Sequence, residues 1–175
     1  MKPVSHAILS KLEGGDRRSI GKSNAVVAEV LAKPSLFDAV FSGLSADCPV
    51  MRARCADAVE KITLSHPEWL RPYRKALLAR IAPIEQKEVR WHVAQMLPRL
   101  RWSAPAQGRV LAVLEAYLGD TSSIVRTFAL QALADLAAQA PALRPAALSH
   151  LRRAMSEGTP AMKARARRLH ARLGR

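Results

Sequence analysis

Residues 120–136, DTSSIVRTFALQALADL, decide the fold. An acid and small polar residues open the stretch, as they do at the start of a helix. Val125, Ala129, Ala132, Leu133 and Leu136 then recur at three- and four-residue steps, which places them on one helical face. Arg126 stands beside that face. The arrangement occurs three more times. Met51, Cys55, Ala58, Val59 and Ile62 repeat it with Arg52. Val89, Val93, Met96, Leu97 and Leu100 repeat it with Arg90, and Met162, Ala166, Leu169, His170 and Leu173 with Lys163. The steps from Arg52 to Arg90, Arg126 and Lys163 are 38, 36 and 37 residues. A period of that size marks an array of helical repeats.

Outward from these copies, the chain reads as a first helix, a tight turn and a second helix, five times over. The pairs fall at about 4–32, 35–65, 68–100, 105–139 and 142–173, within one repeat domain spanning 1–175. Gly14-Gly15 stops the first helix. Arg18, 34 residues before Arg52, marks a degenerate first copy, as expected of a terminal repeat that has a neighbour on one side only. Leu36, Phe37, Val40, Phe41 and Leu44 form the inward stripe of the next first helix. Asp47-Cys48-Pro49 is expected to cap the helix after it, with proline in the first turn. His66-Pro67 breaks the chain, a helix through Leu70, Tyr73, Leu77, Leu78 and Ile81 follows, and Pro98 is expected to distort the end of the next.

Composition agrees with close-packed helices. Apolar residues make up 49% of the 175, which excludes disorder, and no stretch alternates with period two. No apolar run approaches the roughly 18 residues of a membrane span, and the first residues lack the apolar core of a secretion signal. A cytoplasmic protein without a membrane partner is the expectation. Cys55 occupies an inward column and reads as a small buried hydrophobe; with Cys48 it offers no ligand spacing. The net charge of +14 is unevenly spread. Residues 151–175 hold eight Lys or Arg against one acid, half of the excess. Such an excess suits an acidic protein partner, or nucleic acid.

At this point the residues resemble the HEAT-repeat family. The pair length of about 37 residues carries the resemblance, together with the D-x-P-x-x-R start of residues 47–52. Asp120 with Arg126 has one residue more between them, and Glu85 with Arg90 is a weaker version. The resemblance covers roughly residues 16–174. It implies an all-α solenoid of about five antiparallel helix pairs in a right-handed superhelix, whose second helices line a concave binding surface. It also implies that Asp47, Arg52, Glu85, Arg90, Asp120, Arg126 and Lys163 form a structural ladder between neighbouring repeats. Gly158 replaces the acid in the last copy and His170 an inward apolar residue, as in an end cap.

Opposite the core columns, the second helices carry Ala53, Asp57 and Lys61, then Trp91, Gln95 and Arg99. Thr127, Gln131 and Asp135 follow, then Ala164, Arg168 and Arg172. Trp91, Gln95, Arg99, Gln131, Arg168 and Arg172 are the candidate binding residues, because a tryptophan beside arginine anchors a peptide or a base. Asp57 and Asp135 interrupt the positive charge of that face. Lys163, Arg165, Arg167, Arg168, Arg172 and Arg175 surround the last helix. Catalysis finds no support: the five histidines are scattered and no nucleophile, metal or phosphate-loop motif is present. No catalytic residue, metal or cofactor is expected. Some HEAT-like proteins are DNA glycosylases for alkylated bases that use concave aromatics, an acid and arginine. Trp91 with Asp57 or Asp135 supplies the residue types, without a longer match. The expectation is a non-enzymatic module that presents a concave surface to a protein, and the alternative is a nucleic-acid-binding HEAT-like protein, of which a DNA alkylation-repair glycosylase is one form.

Overall fold

The computed structural model describes residues 3–16 and 19–174, with side chains from residue 7 onward. Arg18 and Arg175 lie outside the described residues. The chain is 81% helical and has no strand among the described residues. The helices are α1 (Pro3–Ser10), α2 (Ser23–Ala32), α3 (Phe37–Ser42), α4 (Pro49–Ser65) and α5 (Arg74–Ala76), then α6 (Lys87–Met96), α7 (Ala104–Leu118), α8 (Ser123–Gln139), α9 (Arg144–Glu157) and α10 (Pro160–Leu173). Contacts divide the chain into two compact units, Met1–Val93 and Ala94–Arg175. None of the described helices is long and apolar enough to cross a membrane.

The first unit is built around α4, against which α2 and α3 pack, while α1 packs on α3. Cys55, Ala58, Val59 and Ile62 are fully buried, as their period requires, and Met51 at the helix start is half-buried. Burial pushes the Cys55 thiol up to about 12, and both cysteines are free. Gly43 lies where any side chain would collide with the Cys55 sulfur. Leu36, Phe37, Val40, Phe41 and Leu44 are all buried.

The stretch expected as one helix through Leu70 and Ile81 is irregular instead. A 3-10 turn covers Pro67–Tyr73, α5 adds one turn, and a π turn closes it at Leu77–Ile81. Pro72 accounts for the 3-10 part, because it has no N–H to donate and disfavours the α conformation in the residue before it. Leu70, Leu77 and Ile81 nonetheless reach the core. Tyr73 meets Phe41 at 4.2 Å between ring centroids, and its hydroxyl donates to Asp38 Oδ1 at 3.1 Å. Burial and the Asp38 carboxylate raise that phenol to about 12.

The second unit is built around α8, which packs against α7, α9 and α10; α9 also packs on α10. Val125, Ala129, Ala132, Leu133 and Leu136 are all buried. Pro98 sits in a 3-10 turn, Leu97–Arg99, whose Leu97 carbonyl accepts the Trp102 indole N–H at 2.8 Å. The Thr159 side chain caps α10 by accepting from Met162 N–H, and Arg144 donates to the Leu173 carbonyl at its other end.

Candidate functional site

The ladder arginines fold back onto the turns that precede their own helices. Arg52 Nη1 donates to the carbonyls of Ala46 and Asp47 at 2.7 and 3.0 Å. Arg126 Nη1 donates to those of Asp120 and Thr121 at 2.6 and 3.1 Å. Arg90 Nε donates to the Ile84 carbonyl at 3.2 Å, and its Nη2 lies 3.5 Å from Glu85 Oε1. The acceptors thus stand six and five residues before each arginine, and for Asp47 and Asp120 they are backbone carbonyls rather than carboxylates. The Asp120 carboxylate instead accepts the Ser122 N–H at 2.7 Å, which orders the turn. Asp47 does not cap α4: Cys48 holds that position, without a side-chain bond. Lys163 is half-buried on α10. One arginine also joins successive pairs: Arg52 Nε donates to Gln86 Oε1 at 2.9 Å, and Gln86 Nε2 donates to the Pro49 carbonyl at 2.9 Å.

The polar face of the second helices is tied together rather than open to water. Ser23 Oγ on α2 donates to Asp57 Oδ2 on α4 at 2.5 Å, and Lys61 Nζ bridges the same oxygen (2.7 Å) to Asn24 Oδ1 (2.8 Å). The second unit repeats the device between α8 and α10. Arg172 Nη2 lies 2.6 Å from Asp135 Oδ1, and Arg165 Nη1 donates to Gln131 Oε1 at 3.5 Å while its guanidinium covers the Phe128 ring. Gln131 Nε2 completes the set on the Asp135 carboxylate. Neighbouring copies of one column therefore bond to each other, at separations of 34 and 37 residues.

These bonds correct the expectation of an exposed face. Asp57 is buried and Lys61 half-buried. Trp91, Gln95, Arg99 and Gln131 are half-buried, and only Arg168 and Arg172 of the six candidates are exposed. Gln131 and Arg172 meet the same carboxylate, that of Asp135.

In the first unit this face opens into a cleft of about 790 Å³. Asp16, Ser19 and Ile20 line one side, Ala53, Arg54 and Asp57 of α4 the floor, and Lys87, Glu88, Trp91 and His92 of α6 the other side. Arg54 is the buried cation here, 5% exposed. Its guanidinium donates to the carbonyls of Leu12, Glu13, Asp16 and Ser19 at 3.1 to 3.3 Å. Those carbonyls converge because Gly14, Gly15 and Gly21 adopt positive φ, which glycine does at little cost. A Cβ on Gly21 would stand 2.7 Å from the Arg54 guanidinium carbon. Sequence reading passes over Arg54, Gln86, Glu88 and His92. For Arg54 a signal exists, since it stands two residues after Arg52 as Arg165 stands two after Lys163.

The last two helices of the second unit carry a cluster of exposed positive charge. Arg152 and Arg153 on α9 and Arg167 and Arg168 on α10 are exposed, and no side-chain hydrogen bond or ion pair holds them among the described residues. No group of three His, Cys, Asp or Glu side chains gathers at metal-binding distance among the described residues. No protein-family model, no curated protein and no solved structure matches the chain.

Proposed function

We propose that the chain is a non-enzymatic binding module, a HEAT-like α-solenoid of about five antiparallel helix pairs in a right-handed superhelix, that captures an acidic protein partner. The recurrence of the arginine turn clamp at the same offset in three copies supports the repeat reading. The observation that carries the partner's chemistry is the contrast among the arginines of α9 and α10. Arg165 and Arg172 are committed to Gln131 and Asp135, whereas Arg152, Arg153, Arg167 and Arg168 are exposed. Exposed cations on a packed helix hairpin form a fixed positive surface that draws in an acidic segment and fixes its register.

Reversing Arg167 and Arg168 to glutamate is expected to weaken binding of a labelled Glu/Asp-rich peptide by about tenfold or more. The melting temperature should stay within about a degree or two of the parent, because neither side chain is buried. Fluorescence anisotropy and a thermal melt of the same samples check both. Unchanged peptide affinity would remove these arginines from the interface.

A nucleic-acid reading, including a HEAT-like DNA glycosylase, draws on the same arginines and on Trp91 and Asp57, which line one cleft. Asp57 already accepts the Ser23 hydroxyl and the Lys61 ammonium on one oxygen. It serves the packing of α2 on α4, which favours the protein-binding reading.

A further inference from the structure

Arg52 and Arg126 clamp their turns alike but differ along the other edge of the guanidinium. In Arg52, Nη1 holds the Ala46 and Asp47 carbonyls while Nε donates to Gln86 Oε1. Arg126 keeps the first half of this arrangement and lacks the second. Its Nη1 holds the Asp120 and Thr121 carbonyls. Among the described residues no acceptor takes its Nε or Nη2, and neither atom is buried. Gln86 stands 34 residues after Arg52; the residue 34 after Arg126 is Pro160, whose side chain accepts nothing. The edge formed by Nε and Nη2 presents two parallel N–H groups, the pair that matches a carboxylate.

Arg126 lines a cavity of about 340 Å³ within the second unit, and Arg153, exposed on α9, lines it as well. Leu130, Ala154 and Met162 give the cavity an apolar wall, which suits the methylene stem of a glutamate. Two acids also line it. The Asp120 carboxylate accepts the Ser122 N–H, and Glu157, four residues after Arg153, is exposed and makes no ion pair with it. Two acids beside two arginines leave little net charge, so a singly charged carboxylate enters more readily than a doubly charged phosphate. The first unit holds a related cavity, lined by Asp47, Arg52 and Arg80. Arg80 precedes Arg153 by 73 residues, as Asp47 precedes Asp120. There, however, the Gln86 amide oxygen already occupies the arginine edge. We propose that Arg126 and Arg153 form a seat for one carboxylate of the acidic partner. A glutamate side chain takes on Arg126 the place that Gln86 takes on Arg52. This inference rests on the acidic-partner reading and adds to it: the exposed arginines draw the segment in, and the seat fixes its register.

The test is fluorescence anisotropy of a labelled Glu-rich peptide with the full chain, Arg152→Ala and Arg153→Ala. The two arginines are exposed neighbours on α9, and of the two it is Arg153 that lines the cavity. The N–H resonance of Arg126 Nε, assigned with Arg126→Lys, is followed through the same titration. Arg153→Ala should weaken the peptide about fivefold or more, and Arg152→Ala by no more than about twofold. Both variants should melt like the parent, because each side chain is exposed. The Arg126 resonance should shift as the peptide saturates, and a phosphoserine peptide of equal net charge should bind less tightly. Equal losses in the two alanine variants, with the peptide still bound by the parent, would sink the seat and leave the acidic-partner reading standing. An Arg126 resonance unmoved at saturation would do the same, as would a phosphoserine peptide that binds as tightly with the same shift. A parent that binds no Glu-rich peptide would overturn both.

Discussion

Leu133→Ala is expected to cost about 2–5 kcal/mol of stability, the range for emptying a leucine site in a packed core. Leu133 is 2% exposed, in the middle of α8, and α8 packs against α7, α9 and α10. The loss combines the transfer free energy of the deleted carbons with the cavity they leave. Collapse around that cavity is limited, because the buried Ala129, Ala132 and Ala137 of the same helix have little side chain with which to fill it. At about 2–4 °C per kcal/mol for a chain of this size, the melting temperature should fall by roughly 5–20 °C. Leu64→Ala serves as the comparison, because Leu64 is 70% exposed on α4 and should change stability by no more than about 0.5 kcal/mol. Thermal melts of both variants check the contrast. A Leu133→Ala protein that melts like the parent would mean that the repeated apolar column is not the core.

Arg54→Ala is expected to cost about 2–4 kcal/mol, for a different reason. The guanidinium gathers the carbonyls of Leu12, Glu13, Asp16 and Ser19, and alanine leaves them without a donor. The bond to Leu12 is buried, so its carbonyl bears the larger penalty, whereas the exposed glycine turn regains water. The loss should therefore be local. Amide hydrogen exchange is expected to accelerate most in the segment from Ala7 to Lys22, with α8 of the other unit unaffected. Arg54→Lys should recover only part of the loss, since an ammonium has three donors and no planar fork. Unchanged exchange between Ala7 and Lys22 in Arg54→Ala would show that the clamp does not hold this segment.

Much of the helical framework is legible in the sequence because the apolar columns keep one period. Spacing alone places Val89, Val93, Met96, Leu97 and Leu100 inward, and all are buried. Periodicity is silent on what covers a polar face. Asp57 reads as a solvent-facing acid, and it is buried because Ser23 and Lys61 satisfy it. Glu85 does stand beside Arg90, but at 47 the acid's carboxylate is not the acceptor of its turn arginine, and carbonyls six residues upstream receive Arg52, Arg90 and Arg126 alike. Backbone acceptors carry no residue identity, so no sequence pattern announces them. The acceptors of Arg54 are hidden on the same ground, since they converge only once three glycines have turned the chain. The irregular stretch after Pro67 reads as a regular helix because its apolar spacing survives the 3-10 turn around Pro72 and the π turn at Leu77–Ile81.

The binding reading stands or falls on a direct comparison of two polyanions. A labelled Glu/Asp-rich peptide and a DNA duplex of similar length are titrated with the protein at salt concentrations of about 50 and 200 mM. The protein-binding reading expects the peptide to remain bound at the higher salt, and the duplex to be lost because added salt reduces the gain from releasing its counterions. Tight duplex binding at the higher salt, with the peptide left free, would contradict that reading and make nucleic acid the partner of Arg152, Arg153, Arg167 and Arg168.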